Sequence, residues 1–105
     1  MKVHKITGVF CAATTPITEQ GEPDLARFTG HCQRLLSEGC HGVALLGTTG
    51  EANSFSMRER FAILEAALAA GVPADALLPG TGVVASPDTI ELTRHALSNG
   101  VRKVV

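Results

Sequence analysis

Short, almost purely apolar runs recur along the chain roughly every 30 residues, and between them the apolar positions spread out to a period near 3.6. The first run, Gly8-Val9-Phe10-Cys11-Ala12-Ala13, predicts a strand closed by Thr14-Thr15-Pro16. A polar turn with Gly21 and Pro23 leads into a helix from about Asp24 to Glu38, whose Leu25, Phe28, Cys32, Leu35 and Leu36 share one face. Asp24 suits the positive end of that helix, and Gly39 supplies a left-handed stop. The second strand is Gly42 to Leu46. Ser56 and Glu59 then form a capping box for a second helix, with Phe61, Leu64 and Leu68 as its buried stripe and Gly71 as its end. A short third strand runs from about Leu77 to Thr81. Ser86-Pro87-Asp88 opens a third helix, with Ser86 as cap and Pro87 in the first helical position, and Asn99-Gly100 closes it. Arg102-Lys103-Val104-Val105 reads as the beginning of a fourth strand.

The strands are nearly continuous in apolar residues rather than alternating, as strands buried on both faces are, so a parallel sheet with right-handed crossovers is expected. This is α/β architecture of about three and a half βα units, in one incomplete domain over residues 1–105. Because Val104-Val105 falls inside an element, the chain is expected to be the N-terminal piece of something larger. Pro79 within the third strand removes a ladder donor, and a local bulge is expected there.

Composition narrows the function. The chain of 105 residues is 45% hydrophobic and 18% charged, with a net charge of −1. Its nine basic residues are scattered among ten acidic ones, which excludes the basic footprint of a nucleic-acid binder. No apolar run approaches the ~20 residues of a membrane span. The first residues lead into a strand rather than a signal sequence. Cys11, Cys32 and Cys40 make an odd count without a C-x-x-C pair, which argues against a disulfide framework and for a reducing, cytoplasmic setting. All three are expected to be small buried hydrophobes. His4, His31, His41 and His95 lack metal-ligand spacing, so no metal site is expected.

Candidate chemistry lies at the carboxyl ends of the strands, where parallel α/β folds bind ligands. Those ends are Ala12-Ala13-Thr14-Thr15-Pro16, Gly47-Thr48-Thr49-Gly50-Glu51 and Gly80-Thr81-Gly82. Glycines allow sharp turns and close approach and leave amides free for an anion, while Thr48 and Thr49 add hydroxyl donors without bulk. From the residues alone three readings stand: a carboxylate site, a phosphate-binding turn, or a tight turn whose threonines only cap the next segment.

The segment from Gly8 to Val105 resembles the N-terminal part of the dihydrodipicolinate synthase/N-acetylneuraminate lyase family, the pyruvate-dependent class I aldolases. The resemblance rests on five pieces in order: Gly8-Val9-(x)₅-Thr15-Pro16, Gly39-x-x-Gly42-Val43, Gly47-Thr48-Thr49-Gly50-Glu51, Ser56-x-x-Glu59-Arg60 and Gly80-Thr81-Gly82. It implies a (β/α)₈ TIM barrel that needs no cofactor or metal and works through a lysine Schiff base with pyruvate or a related 2-oxo acid. The enamine then attacks an aldehyde, or the reverse cleavage occurs. It further implies that Thr49 holds the substrate carboxylate and that Thr48, the catalytic candidate, joins a proton relay with two tyrosines. Gly47 and Gly50 would give the backbone close approach, and Ala12 would form part of the pocket wall. Glu51 would organise its own loop and the start of the second helix. Paired threonines favour a synthase-like member, and the full-length form would be a homo-oligomer, a tetramer.

The chain departs from that pattern in what it lacks. Its lysines are Lys2, Lys5 and Lys103, and it has no tyrosine. Lys2 and Lys5 precede the first strand and Lys103 is expected at the opposite end of the barrel, as is His41. These 105 residues alone are therefore expected to be inactive. The alternative is a small non-catalytic α/β module that binds an anion or a nucleotide phosphate at Gly47–Glu51. Arg58, Glu59 and Arg60 are expected on a solvated helix face, and Gly80-Thr81-Gly82 as a simple turn.

Overall fold

The computed structural model describes residues 7–105, so Lys2, His4 and Lys5 lie outside the described residues. Two strands, β1 (Phe10–Ala12) and β2 (Gly42–Ala44), pair in parallel with Cys11 opposite Val43. Three helices of equal length separate and follow them: α1 (Leu25–Ser37), α2 (Met57–Ala69) and α3 (Ser86–Ser98). Short 3₁₀ turns occupy Ala52–Ser54 and Ala74–Ala76.

The same local chemistry starts and stops the helices. The Asp24 carboxylate accepts from the Arg27 amide at 3.1 Å, and Ser56 and Glu59 form the expected reciprocal box at 3.1 and 2.9 Å. Each helix ends in one motif. Gly39, Gly71 and Gly100 all take positive φ, and the next residue, Cys40, Val72 or Val101, donates back to the carbonyl of Leu35, Ala67 or Ala96 at 3.1 Å. Val72 and Val101 are then buried and deliver the chain to the next extended segment. The third helix begins one residue earlier than its sequence suggests. Ala85 takes the extended cap conformation, its carbonyl accepting from Asp88 and Thr89, so Ser86 is already helical and Pro87 stands second.

The sheet is less regular than the expected four strands. Residues Leu77 to Thr81 form a single bridge to Val43, extended by Leu78 N–H to Val43 O at 2.9 Å and Gly80 N–H to Leu45 O at 2.8 Å. On the far side, Val105 N–H donates to Pro79 O and Thr81 N–H donates to Val105 O. This alternation accounts for Pro79 without a bulge. The donors at positions 78 and 80 face β2, so the missing N–H of Pro79 faces the incoming 102–105 segment, where Pro79 takes part through its carbonyl and the donor comes from Thr81.

Helices cover one face of this layer. Val43, Leu45, Leu77 and Val101 are buried against Phe28, Cys32, Ile63, Leu64, Ala67 and Ala96. On the opposite face Phe10, Ala44 and Leu78 are only partly buried and Ala12 is exposed. The expectation of strands buried on both faces therefore holds for one face of the chain as described. Of the three cysteines only Cys32 is buried; Cys11 and Cys40 are partly exposed. In α2 the buried side is Arg60, Ile63, Leu64 and Ala67, rotated from the expected stripe. Phe61 and Leu68 are only partly buried, and the Phe61 ring instead stacks on His95 of α3 at 4.3 Å. Among the described residues no helix is long and apolar enough to cross a membrane.

Candidate functional site

β2 hands over to the site through a strained residue. Leu46 follows the strand with φ of 56°, a left-handed conformation that a leucine adopts only when its surroundings impose it. Two glycines do so. A Cβ on Gly80 would fall onto the Leu46 carbonyl oxygen, and one on Gly50 would lie 2.9 Å from the Leu46 nitrogen. Glu51, with φ of 55°, makes the second left-handed turn. The sharp turns expected at glycines are thus made by Leu46 and Glu51. Gly50 and Gly80 provide close packing, whereas a Cβ on Gly47 would meet nothing within 4 Å.

Between these two turns the chain presents its polar groups outward. Thr48 and Thr49 are exposed, and neither hydroxyl has a hydrogen-bond partner among the described residues. The backbone N–H groups of Gly47, Thr48, Thr49 and Gly50 likewise donate to no described protein group. Only the carbonyls are used: Gly47 O accepts from Ala52 N, Thr48 O from Glu51 N, and Gly50 O from the Thr15 hydroxyl at 2.8 Å.

These groups surround one cleft. Ala12, Gly47, Thr48, Thr49 and Gly50 all line a space of about 200 Å³, whose floor includes Ala44 and Leu78. Among the described residues no charged side chain lines it, and Leu45, Leu78 and Val105 add apolar surface beside the donor groups. A neighbouring cleft of about 530 Å³ shares Gly47, Thr48, Gly80 and Val105 and reaches Asn53 and Ser54. Such a cluster of N–H and O–H donors suits a small anion with an apolar body. Among the described residues no three His, Cys, Asp or Glu side chains are placed to hold a metal ion.

Every site residue expected from sequence is therefore brought to one place, except that Glu51 does not act through its carboxylate. That side chain is exposed and makes no capping bond, and the 3₁₀ turn after it is held by backbone alone. Sequence reasoning missed three contributors. Thr15 is buried beneath the turn, Leu46 carries the strain, and Arg60 lies under the third strand's end rather than on a solvated face. Arg60 is 4% exposed and donates from Nη1 to Gly82 O at 3.1 Å, while its Nε has no described partner. Burial lowers its pKa from the usual arginine value. The Ser-x-x-Glu-Arg spacing is the available signal: the capping box accounts for Ser56 and Glu59 but leaves Arg60 without a local role. Gly82 thus does more than turn the chain; it receives the buried cation.

The lysine and histidine at the other end are occupied structurally. Lys103 Nζ donates to the Asp75 carbonyl and lies 5.4 Å from the Phe10 ring centroid. His41 Nδ1 accepts from Val9 N–H at 2.8 Å. Both stand at the amino ends of the strands, away from the cleft.

The model of the dihydrodipicolinate synthetase family matches residues 5–105. A DapA-like lyase of Rhizobium meliloti is 38% identical over 94 residues, 90% of this chain and 31% of the relative. The crystal structure of dihydrodipicolinate synthase from Agrobacterium tumefaciens superposes with a TM-score of 0.89 at 38% identity, over 93% of this chain and 34% of that one. A prophage protein of the dihydrodipicolinic acid synthase family from E. coli K12, solved in complex with pyruvate, gives 0.83 at 31% identity, over 93% and 33%. The chain spans about a third of the length of the curated relatives it matches.

Proposed function

Because this chain belongs to the dihydrodipicolinate synthetase family, we propose that its Gly47–Gly50 turn grips the carboxylate of pyruvate or a related 2-oxo acid for a Schiff-base lyase. One observation carries the reading. Among the described residues, Gly47, Thr48, Thr49 and Gly50, whose four backbone N–H groups and two hydroxyls have no partner, all line a single cleft without a charged side chain. A carboxylate needs donors without bulk, and the apolar floor of Ala12, Ala44 and Leu78 accommodates a methyl group. Thr49 binds the carboxylate through its hydroxyl and amide. Thr48 carries a proton between the substrate and neighbouring hydroxyls during imine formation. The setting is a (β/α)₈ barrel, whose catalytic groups gather at the carboxyl ends of its strands. That family members include a pyruvate complex supports the choice of ligand.

Among the described residues no lysine stands beside the grip. Lys103 is held at the opposite end of the layer, and the sequence contains no tyrosine for a relay. Pyruvate is expected to bind this chain reversibly, and borohydride added to that mixture should trap no covalent adduct by mass spectrometry. An adduct on Lys103 would overturn the assignment. The rival reading, an anion or nucleotide-phosphate module, is favoured by the same free amides. It predicts that inorganic phosphate displaces pyruvate at equal concentration, whereas the carboxylate reading predicts that it does not.

A further inference from the structure

One buried hydroxyl links the end of the first strand to the candidate site. Thr14 and Thr15 are adjacent, yet Thr14 is exposed whereas Thr15 is 5% exposed. The Thr15 hydroxyl donates to Gly50 O at 2.8 Å, across 35 residues of chain. Among the described residues it is the one side chain that hydrogen-bonds any atom of residues 47–51. Gly50 is confined on its other sides as well, since a Cβ there would lie 2.9 Å from Leu46 N and 3.1 Å from Ala13 O. The turn is bracketed by left-handed Leu46 and Glu51, a backbone that relaxes unless its surroundings hold it.

We propose that Thr15 is a positioning residue for the anion grip: by holding the Gly50 carbonyl, it fixes the direction in which the Thr48 and Thr49 donors face the cleft. The inference rests on reading that turn as a carboxylate site. The carbonyl of Gly50 lies one residue past Thr49, so rotating it would reorient the peptide groups on either side. Ala13 N–H donates to Ala44 O at 3.0 Å, which ties the segment just past β1 to β2 two residues before Thr15. The hydroxyl therefore links the turn to a segment that is itself bonded to the sheet.

The test uses the 105-residue chain, its Thr15→Val and Thr15→Ser variants, and pyruvate as the probe, read by backbone NMR. In Thr15→Val, nearly isosteric but without the donor, the Gly50 carbonyl and Thr49 amide resonances should both move. Its pyruvate affinity should fall about tenfold, and Thr15→Ser should return both resonances toward their parent positions and the affinity to within about twofold. Resonances of residues 47–51 unchanged in Thr15→Val would overturn the proposal. So would a Thr15→Ser variant that folds but loses affinity as Thr15→Val does, because that would assign the effect to packing of the methyl group. Should Thr15→Val not fold, the parent chain decides: pyruvate must shift the Thr15 and Gly50 resonances together with Thr49, and a response at Thr49 alone refutes the coupling. A parent chain that ignores pyruvate, with the Thr15→Val effects on Gly50 and Thr49 intact, would count against the carboxylate reading and not against the anchor.

Discussion

The two ends of the strand layer are built on opposite principles. At the amino end the polar groups are engaged. His41 exchanges two hydrogen bonds with Val9, its backbone N–H reaching Val9 O and its ring accepting from Val9 N–H, and Lys103 closes on Asp75. At the carboxyl end two non-glycine residues sit in left-handed backbone, and the N–H and hydroxyl donors between them are left without described partners. Strain and unmet donors gathered at one end of the layer are what the proposed ligand site requires. If the proposed binding resides at the carboxyl end, mutations should separate it from stability.

The largest effect is expected where the carboxyl end depends on close packing. Gly80→Val would drive a side chain into the Leu46 carbonyl, and should lower stability in urea unfolding by about 3 kcal/mol while abolishing pyruvate binding. A near-neutral result would show that the Leu46 turn is not clamped. Arg60→Ala removes the buried donor to Gly82 O and leaves a cavity, and should cost about 2 kcal/mol. Solvent-exposed Arg58→Ala serves as its control and should change stability by less than about 0.5 kcal/mol.

Cys32 supplies a pH test of the core beneath both ends. Burial pushes its thiol up to about 11 from the ordinary 9.0, and a backbone hydrogen bond opposes the shift. A pKa raised in the folded state means the protonated thiol stabilises the fold. That contribution is complete below pH 9 and is lost as pH rises through 11. Unfolding free energy should fall by about 2 kcal/mol across that window, and Cys32→Ala should flatten this part of the profile. At the amino end, His41→Ala removes the acceptor of Val9 N–H and should cost about 1 kcal/mol with pyruvate affinity unchanged. A loss of affinity there would break the separation of the two ends.

Much of this was legible in the residues because helix chemistry is local. Asp24, the Ser56–Glu59 box and the glycines at 39, 71 and 100 each act within a few residues of their own position. Five of the residues that line the cleft, Ala12, Gly47, Thr48, Thr49 and Gly50, were legible because they fall at the carboxyl ends of predicted strands. What was not legible depends on contacts distant in sequence. The buried face of α2 could not be fixed from Phe61-Ala62-Ile63-Leu64, because apolar residues surround that helix and α3 decides which of them it covers. Arg60 looked solvated until Gly82, 22 residues on, gave its guanidinium a partner. Leu46 betrays nothing in sequence, since its left-handed turn is imposed by Gly50 and Gly80 packing against it.

The smallest structural change should have the most specific consequence. Thr49→Val leaves the exposed backbone in place, so stability should stay within about 0.5 kcal/mol while pyruvate affinity drops. The central claim is tested most directly by titrating the chain with pyruvate and, separately, with methyl pyruvate, which has the same ketone without the charged carboxylate. Pyruvate should shift the amides of Gly47, Thr48, Thr49 and Gly50 together with saturation, and methyl pyruvate should leave them in place. Equal responses to both compounds, or pyruvate shifts confined to residues away from this turn, would contradict a carboxylate grip at the carboxyl end of the strands.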